Sequence, residues 1–507
     1  MVQDQVKDHM ATSSPNKTSS GEISSSTSPT LSSASTSKQM KDPLSELDSD
    51  SDEEALPVKL YTRRWVVLAI AAFSISMRGY NQSCFGVINN IYAEYFGVMP
   101  WQIDWFVVIQ SVIFLFMSLP MTLVTKRLNY KLSICFITSS LTIGFAVTAC
   151  GITTNEMGYG VVLGGQAVMG FSNILSWSIQ PATAALWFSS SEVAIAIAVQ
   201  VVARGIGEAL GCIVPPLVAN EKSTHDQVKY GLLSMFIGLG SFAFLLFVLC
   251  LTIVKKRPPL PPSVAQAKLQ AIKREPQDFK TSMSKFYATI KTLFKDKNFV
   301  TVWFVFGAIN PVLRTSNILL TSMLRGHFKL HSDLNFQVGI VLMVAWFMYT
   351  VGGFISGPLI SKTRRYKEIV LANVILICIT CIMLTIGIIF NSIYLVYFSV
   401  AAQGLFLGLA NASIFELLIE VTYPQPAMFV TMLAIVIMGL FRLGYPLIGR
   451  AILKFAGPPA STSFPIAMTL VCAFLLIILK PEYKREIANR PPDDSVPLIS
   501  QNSEIRK

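Results

Sequence analysis

Seven ionisable side chains stand inside runs of apolar residues long enough to cross a bilayer: Arg78, Arg204, Glu208, Arg314, Glu416, Glu420 and Arg442. A charge in hydrocarbon is costly, so each of them is a functional candidate by default. Arg204 and Glu208 lie four residues apart, on one helix face, where they can pair. Arg442 has a similar option with Glu416 or Glu420. Arg78 and Arg314 have no acidic partner in their own runs, and are expected to face a cavity. Deep guanidinium groups suit an anion or a carboxylate-bearing solute, because their planar forks match oxyanions. The glutamates could take up protons, or serve as salt-bridge partners only.

Amides and prolines recur near mid-run: Asn81, Gln82, Gln166, Asn173, Gln180 with Pro181, and Asn310 with Pro311. Such groups are tolerated at membrane depth where they line a cavity. A plain packing kink is the alternative for each alone. Tyr80, Trp177, Trp303, Trp346 and Tyr349 offer ring faces that can stack on a ligand or hold a cation. Gly205, Gly207 and Gly211 permit close helix approach. No strand precedes them, so they do not form a phosphate loop. His327 and His331 are four apart, but two ligands without a third make a poor metal site. No metal and no cofactor is expected. There is no Walker A sequence, voltage-sensor helix or enzyme signature, which argues against ATP-driven transport and leaves no catalytic residue to name.

The elements that must position these residues are twelve apolar runs. They lie near 65–91, 103–124, 132–152, 157–180, 192–218 and 230–254, then 298–324, 336–361, 368–390, 393–419, 427–449 and 462–480. A span needs about 20 residues. The expected fold is therefore an all-α membrane protein, with twelve transmembrane helices in two six-helix bundles (59–254 and 298–480). Two near-equal halves point to an internally duplicated transporter. In that frame Arg78, Asn81, Gln82, Asn173, Trp177, Arg204, Glu208, Asn310, Arg314, Trp346 and Glu416 are candidates for a central cavity. Asp104, Pro181, Pro311, Glu420 and Arg442 are candidates for structure or gating.

Composition agrees. Of 507 residues 52% are hydrophobic and 14% charged, against about a quarter charged in a soluble domain. The mean hydropathy is +0.54. These values exclude a soluble multi-domain protein, a fibrous chain and a disordered one. The net charge of +12 would suggest nucleic acid in a soluble protein. Here the basic residues flank apolar runs, which is a topology signal, and no nucleic-acid partner is implied. Lys59, Arg63, Arg64, Lys126, Arg127, Lys131, Lys362, Arg364, Arg365 and Lys367 fall on one side, with the basic linker 255–297. That side should be cytosolic, with both termini. The stretch from Ser284 to Lys297 reads either as a basic helix on anionic lipid or as a topogenic charge cluster.

All eight cysteines lie in apolar stretches, so no extracellular disulfide framework is indicated. Residues 1–58 are rich in Ser, Thr and Lys and read as a disordered cytosolic tail. The other tail, 481–507, carries Asp494, Leu498 and Ile499 in an acidic dileucine pattern. Sorting adaptors read such a pattern, so the plasma membrane and the endosome or lysosome are the expected locations. The expected partners are a small-molecule substrate and the lipid bilayer, and the protein is expected to be a monomer.

The chain resembles the major facilitator superfamily, and within it the feline leukaemia virus subgroup C receptor-related (FLVCR) family. The resemblance is carried by Leu60-Tyr61-Thr62-Arg63-Arg64-Trp65-Val66-Val67, Phe96-Gly97-Val98 and Ile103-Asp104-Trp105. It continues through Ala185-Leu186-Trp187-Phe188, Glu192-Val193, Pro215-Pro216 and Phe415-Glu416-Leu417-Leu418-Ile419-Glu420-Val421-Thr422-Tyr423-Pro424, in collinear order over about 60–480. It implies a facilitator working by alternating access, in a family associated with choline and ethanolamine uptake and haem export. A lysosomal relative handles a vitamin B6 form. The family's choline site uses a Trp in the first helix and a Tyr in the seventh, where this chain has Gln82 and Arg314. Its cavity glutamines in the fourth and eleventh helices correspond to Asn173 and Gly439. An arginine repels a cation, so those roles do not carry over. The acid usual in the inner loops of facilitators is also missing from Thr125-Lys126-Arg127 and Ser361-Lys362-Thr363. The leading expectation is a multi-pass transporter of a small organic solute, choline, ethanolamine or haem by family. The alternatives are an anionic or vitamin-like metabolite such as pyridoxine in endolysosomes, and, in another class, a non-transporting receptor or scaffold.

Overall fold

The computed structural model describes residues 59–262, 287–481 and 483, apart from 126–128, 155–156, 190–191, 221–222, 326–333, 364, 424 and 426. The tail 1–58, His327, His331 and the sorting residues Asp494, Leu498 and Ile499 lie outside the described residues.

Sixteen helices follow one another along the described chain. They are α1 (Arg63–Ser83), α2 (Asn89–Phe96), α3 (Pro100–Ile103), α4 (Trp105–Thr125), α5 (Tyr130–Thr153), α6 (Gly158–Trp187), α7 (Val193–Val218) and α8 (His225–Ile253). Then come α9 (Lys297–Ile309), α10 (Pro311–Arg325), α11 (Leu334–Thr363), α12 (Tyr366–Ile389), α13 (Ile393–Thr422), α14 (Ala427–Ala456), α15 (Pro458–Ser461) and α16 (Ser463–Ile478). No strand occurs among the described residues. Residues 287–293 add a short helix before α9, within the segment expected as basic, and Lys291 and Lys295 there are exposed.

Among the described residues, ten helical stretches are long and apolar enough to cross a membrane. α1 and α6 complete the expected twelve but fall outside those ten. The reason is local: α1 buries Arg78, Asn81 and Gln82, and α6 buries Gln166, Asn173 and Gln180. These polar groups lower the average hydropathy of a helix whose polar face points inward. The first run is shorter than expected, because α1 stops at Ser83 and a turn intervenes before α2. The seventh run is broken between α9 and α10. Pro311 has no N–H for the helical ladder, and Asn310 Nδ2 donates to Phe306 O at 3.0 Å.

The packing repeats itself. Among α1–α8 the main pairs are α5–α6, α1–α7, α5–α8 and α4–α6. Among α9–α16 they are α12–α13, α10 and α9 with α14, α12–α16 and α11–α13. Each pair of the first set has its counterpart six spans later. The two main pairs that join the groups are α4–α14 and α7–α11, and they too exchange under the same shift. Glycine makes the contact possible on both sides of α7. A Cβ at Gly207 would lie 1.9 Å from Ser76 O of α1, and one at Gly205 would lie 2.0 Å from Thr350 Oγ1 of α11. All eight cysteines are free, and seven are buried.

Candidate functional site

Arg78 and Gln82 are four residues apart in α1 and share its inward face with Asn81. Gln82 Oε1 accepts from three guanidinium groups: Arg204 Nη2 of α7 at 3.3 Å, Arg314 Nη2 of α10 at 3.2 Å and Arg442 Nη2 of α14 at 3.2 Å. Glu208 Oε1 accepts from Arg314 Nη2 at 2.7 Å and from Arg204 Nε at 3.3 Å. Arg78 Nη2 donates to Gln110 Oε1 of α4 at 2.6 Å. An amide layer lies behind it: Gln110 Nε2 and Asn81 Nδ2 both donate to Gln166 Oε1, at 2.7 and 2.8 Å. Two tryptophans hold the guanidinium planes. Arg204 sits 4.4 Å from the ring centre of Trp177, and Arg314 sits 4.7 Å from that of Trp346.

The electrostatics are lopsided. Among the described residues, four guanidiniums against one carboxylate leave a formal excess of three positive charges in the middle of the bundle. Arg78, Arg314, Arg442 and Glu208 are all buried, Arg78 and Glu208 at 1% exposure. Donors exceed acceptors as well. Arg78 Nε and Nη1, Arg204 Nη1, Arg314 Nε, Trp177 Nε1 and Trp346 Nε1 have no hydrogen-bond partner among the described residues, nor do the acceptors Glu208 Oε2 and Asn173 Oδ1. A buried unmade bond costs about 1–3 kcal/mol, and more for a charged group. Chemically, donors from both groups of helices converge here in excess of the acceptors, a pattern that suits an oxyanion.

The structure thus gathers Arg78, Gln82, Arg204, Glu208, Arg314, Arg442, Trp177 and Trp346 around one centre, with Asn81 in the layer behind. The Arg204–Glu208 pair forms, but Arg314 shares the carboxylate. Arg442 reaches Gln82, a partner its position in the chain does not suggest. Asn310 bonds Asn411 at 3.1 Å, and Asn173 is buried in α6. Pro181 is exposed within α6, and Pro311 is the buried first residue of α10. Glu420 is buried on α13, whereas Glu416 is exposed there. Trp303 is a packing residue, its Nε1 donating to Leu433 O at 2.8 Å. Gln110 escaped the sequence reading, although a lone amide in an apolar run is the signal that singled out Gln166.

Asp104 has a definite partner. Arg450, at the end of α14, binds it through Nε at 2.6 Å and Nη2 at 2.7 Å. The same end of the bundle, where α1 finishes, holds further bonds between the two groups of helices. Asn89 Nδ2 donates to Ser322 Oγ at 3.1 Å, and Thr321 Oγ1 to Val87 O at 3.0 Å. At the opposite end the bonds Arg64–Glu192, Lys131–Leu251 and Lys367–Leu479 each stay within one group.

The sequence matches the family described as Major Facilitator Superfamily over residues 68–442, well over half of the chain. A choline/ethanolamine transporter FLVCR2 from Rattus norvegicus is 25% identical over 435 residues, covering 85% of this chain and 77% of that protein. Its Homo sapiens counterpart is 24% identical over 444 residues, covering 87% and 82%. The fold is like that of a D-xylose-proton symporter, with a TM-score of 0.66 at 10% identity over 83% of this chain and 98% of that one. With this match and the repeated pairing of its helices, the chain belongs to the Major Facilitator Superfamily, where its relatives include FLVCR transporters.

Proposed function

We propose that the protein carries a small anionic organic solute across the bilayer by alternating access, holding it among Arg78, Arg204, Arg314 and Arg442. The observation that carries this reading is the excess of buried guanidinium groups over carboxylates around Gln82 and Glu208. A cationic amine is the second reading, favoured by relatives named as choline/ethanolamine transporters. It meets two obstacles. The rings of Trp177 and Trp346, which would receive a quaternary ammonium, already carry guanidinium groups. A further cation about 4 Å from any one arginine would also be repelled by about 4 kcal/mol at an effective dielectric of 20.

The layer around Asp104–Arg450 closes one end of the path in this state, and it must open for the solute to leave that way. The basic flanks support cytosolic termini, which makes the closed end the outer one. Asp494, Leu498 and Ile499 support recognition by sorting adaptors in the endosomal system.

The test is tracer uptake into proteoliposomes of choline, haem, pyridoxine and a panel of carboxylates and phosphate esters. Saturable uptake of an anionic member, lost in Arg442→Gln, is expected. Saturable choline uptake with no anionic solute carried or competing would overturn the reading.

A further inference from the structure

We propose that the amide oxygen of Gln82 is an internal stand-in for an oxygen of the transported oxyanion, and that the solute displaces it on binding. The inference rests on the anionic reading above and adds how the protein recognises the charge.

Three helices other than its own send a guanidinium N–H to this one oxygen, at 3.2 to 3.3 Å. An amide oxygen has two lone pairs, so three charged donors oversubscribe it. All three are longer than the 2.7–2.9 Å of charge-assisted bonds to a true anion, although lengths elsewhere in the site vary, with Arg78 2.6 Å from the neutral Gln110 oxygen and Arg204 Nε 3.3 Å from Glu208. Arg314 supplies the comparison within the site. The same Nη2 that lies 3.2 Å from the neutral Gln82 oxygen lies 2.7 Å from the Glu208 carboxylate. The point where Arg204, Arg314 and Arg442 converge therefore suits an anionic oxygen better than the amide that holds it. The other oxygen of a carboxylate or phosphate would find Arg204 Nη1 and Arg314 Nε, which are buried and have no partner among the described residues.

The exchange has a mechanical consequence. Two of the three bonds to the Gln82 side chain, those from Arg314 and Arg442, link α1 to the second group of helices, beside a backbone link from Arg314 Nη1 to Gln82 O at 3.3 Å. A solute that takes over these donors releases Gln82 and replaces a fixed link with a mobile one. Loading would then be coupled to the parting of α1 from α10 and α14.

The test uses the full-length protein in detergent, with thermal unfolding followed while succinate or inorganic phosphate is titrated, and choline chloride as the control. In wild type one or both oxyanions should raise the unfolding temperature, and which of them does so separates a carboxylate from a phosphate ligand. Gln82→Ala removes the competitor and should bind the effective oxyanion at least as tightly as wild type. Gln82→Glu places a carboxylate at the convergence point. It should unfold at a higher temperature without ligand and bind the oxyanion about tenfold or more weakly, the ratio expected when a charged acceptor replaces a neutral one. If Gln82→Glu does not fold, Gln82→Ala still decides, since loss of binding there would make Gln82 a direct ligand. A stabilised wild type together with an unaltered Gln82→Glu response overturns the stand-in and leaves the anionic reading in place. A wild type that only choline stabilises overturns both.

Discussion

Replacing Glu208 by Gln keeps the shape of the side chain and an acceptor oxygen, and removes one charge. Glu208 is 1% exposed and contacts Arg314 at 2.7 Å and Arg204 at 3.3 Å. The substitution raises the excess of buried positive charge from three to four. Breaking a buried ion pair by removing one partner costs about 3–5 kcal/mol, because the other charge is left uncompensated. The glutamine oxygen still accepts a hydrogen bond, which returns about 1 kcal/mol. The expected loss is therefore about 2–4 kcal/mol. It can be read from denaturant or thermal unfolding of the full-length protein in nanodiscs, followed by tryptophan fluorescence. A double-mutant cycle with Arg314→Gln separates the pair from general damage. Removing both charges should cost less than the sum of the single changes, by about 0.5–3 kcal/mol. A Glu208→Gln protein as stable as wild type, with effects that add to those of Arg314→Gln, would refute the claim that this carboxylate neutralises the cluster.

Three other outcomes follow from the geometry. Gly207→Ala would set a methyl group 1.9 Å from Ser76 O, so α1 and α7 must part; folded yield and transport should fall sharply, whereas Gly164→Ala, with nothing within 4 Å, should be tolerated. Asp104→Asn weakens a bidentate charge-assisted pair worth about 1.5–3 kcal/mol. It should shift the population by about tenfold or more toward opening at that end, seen as faster alkylation of a Ser83→Cys probe in a background lacking the other cysteines. Trp346→Ala removes a buried cation–π contact with Arg314 worth about 2 kcal/mol. Binding of the effective oxyanion should weaken by about tenfold or more, and Trp346→Phe should recover part of it.

Much of the site was legible because an ionisable group in an apolar run is rare enough to be noticed one residue at a time. Arg78, Arg204, Glu208, Arg314 and Arg442 were all found that way. Partnership was not legible. Arg314 reaches Glu208 across 106 positions of the chain, and Arg442 reaches Gln82 across 360. No local spacing rule connects such residues. Glu416 met the same criterion as Glu420, yet its turn of α13 places it at an exposed position. Nothing in the sequence singles out Arg450, and its bond to Asp104 became visible only when α14 met α4.

Hydropathy alone determined the membrane class and led to the expectation of twelve spans in two groups of six, because transfer of each segment into hydrocarbon depends on that segment's own composition. The amides that recur in those runs already had to face protein and not lipid. Only the tertiary structure decided that arginines from α7, α10 and α14 share the amide oxygen of Gln82, that two of them share the Glu208 carboxylate, and that Arg78 of α1 turns to Gln110. Charge–charge and hydrogen-bond energies depend on distances of a few ångströms between helices. Those distances are set by helix rotation, depth and the close approach that glycines such as Gly207 allow, none of which a linear pattern encodes.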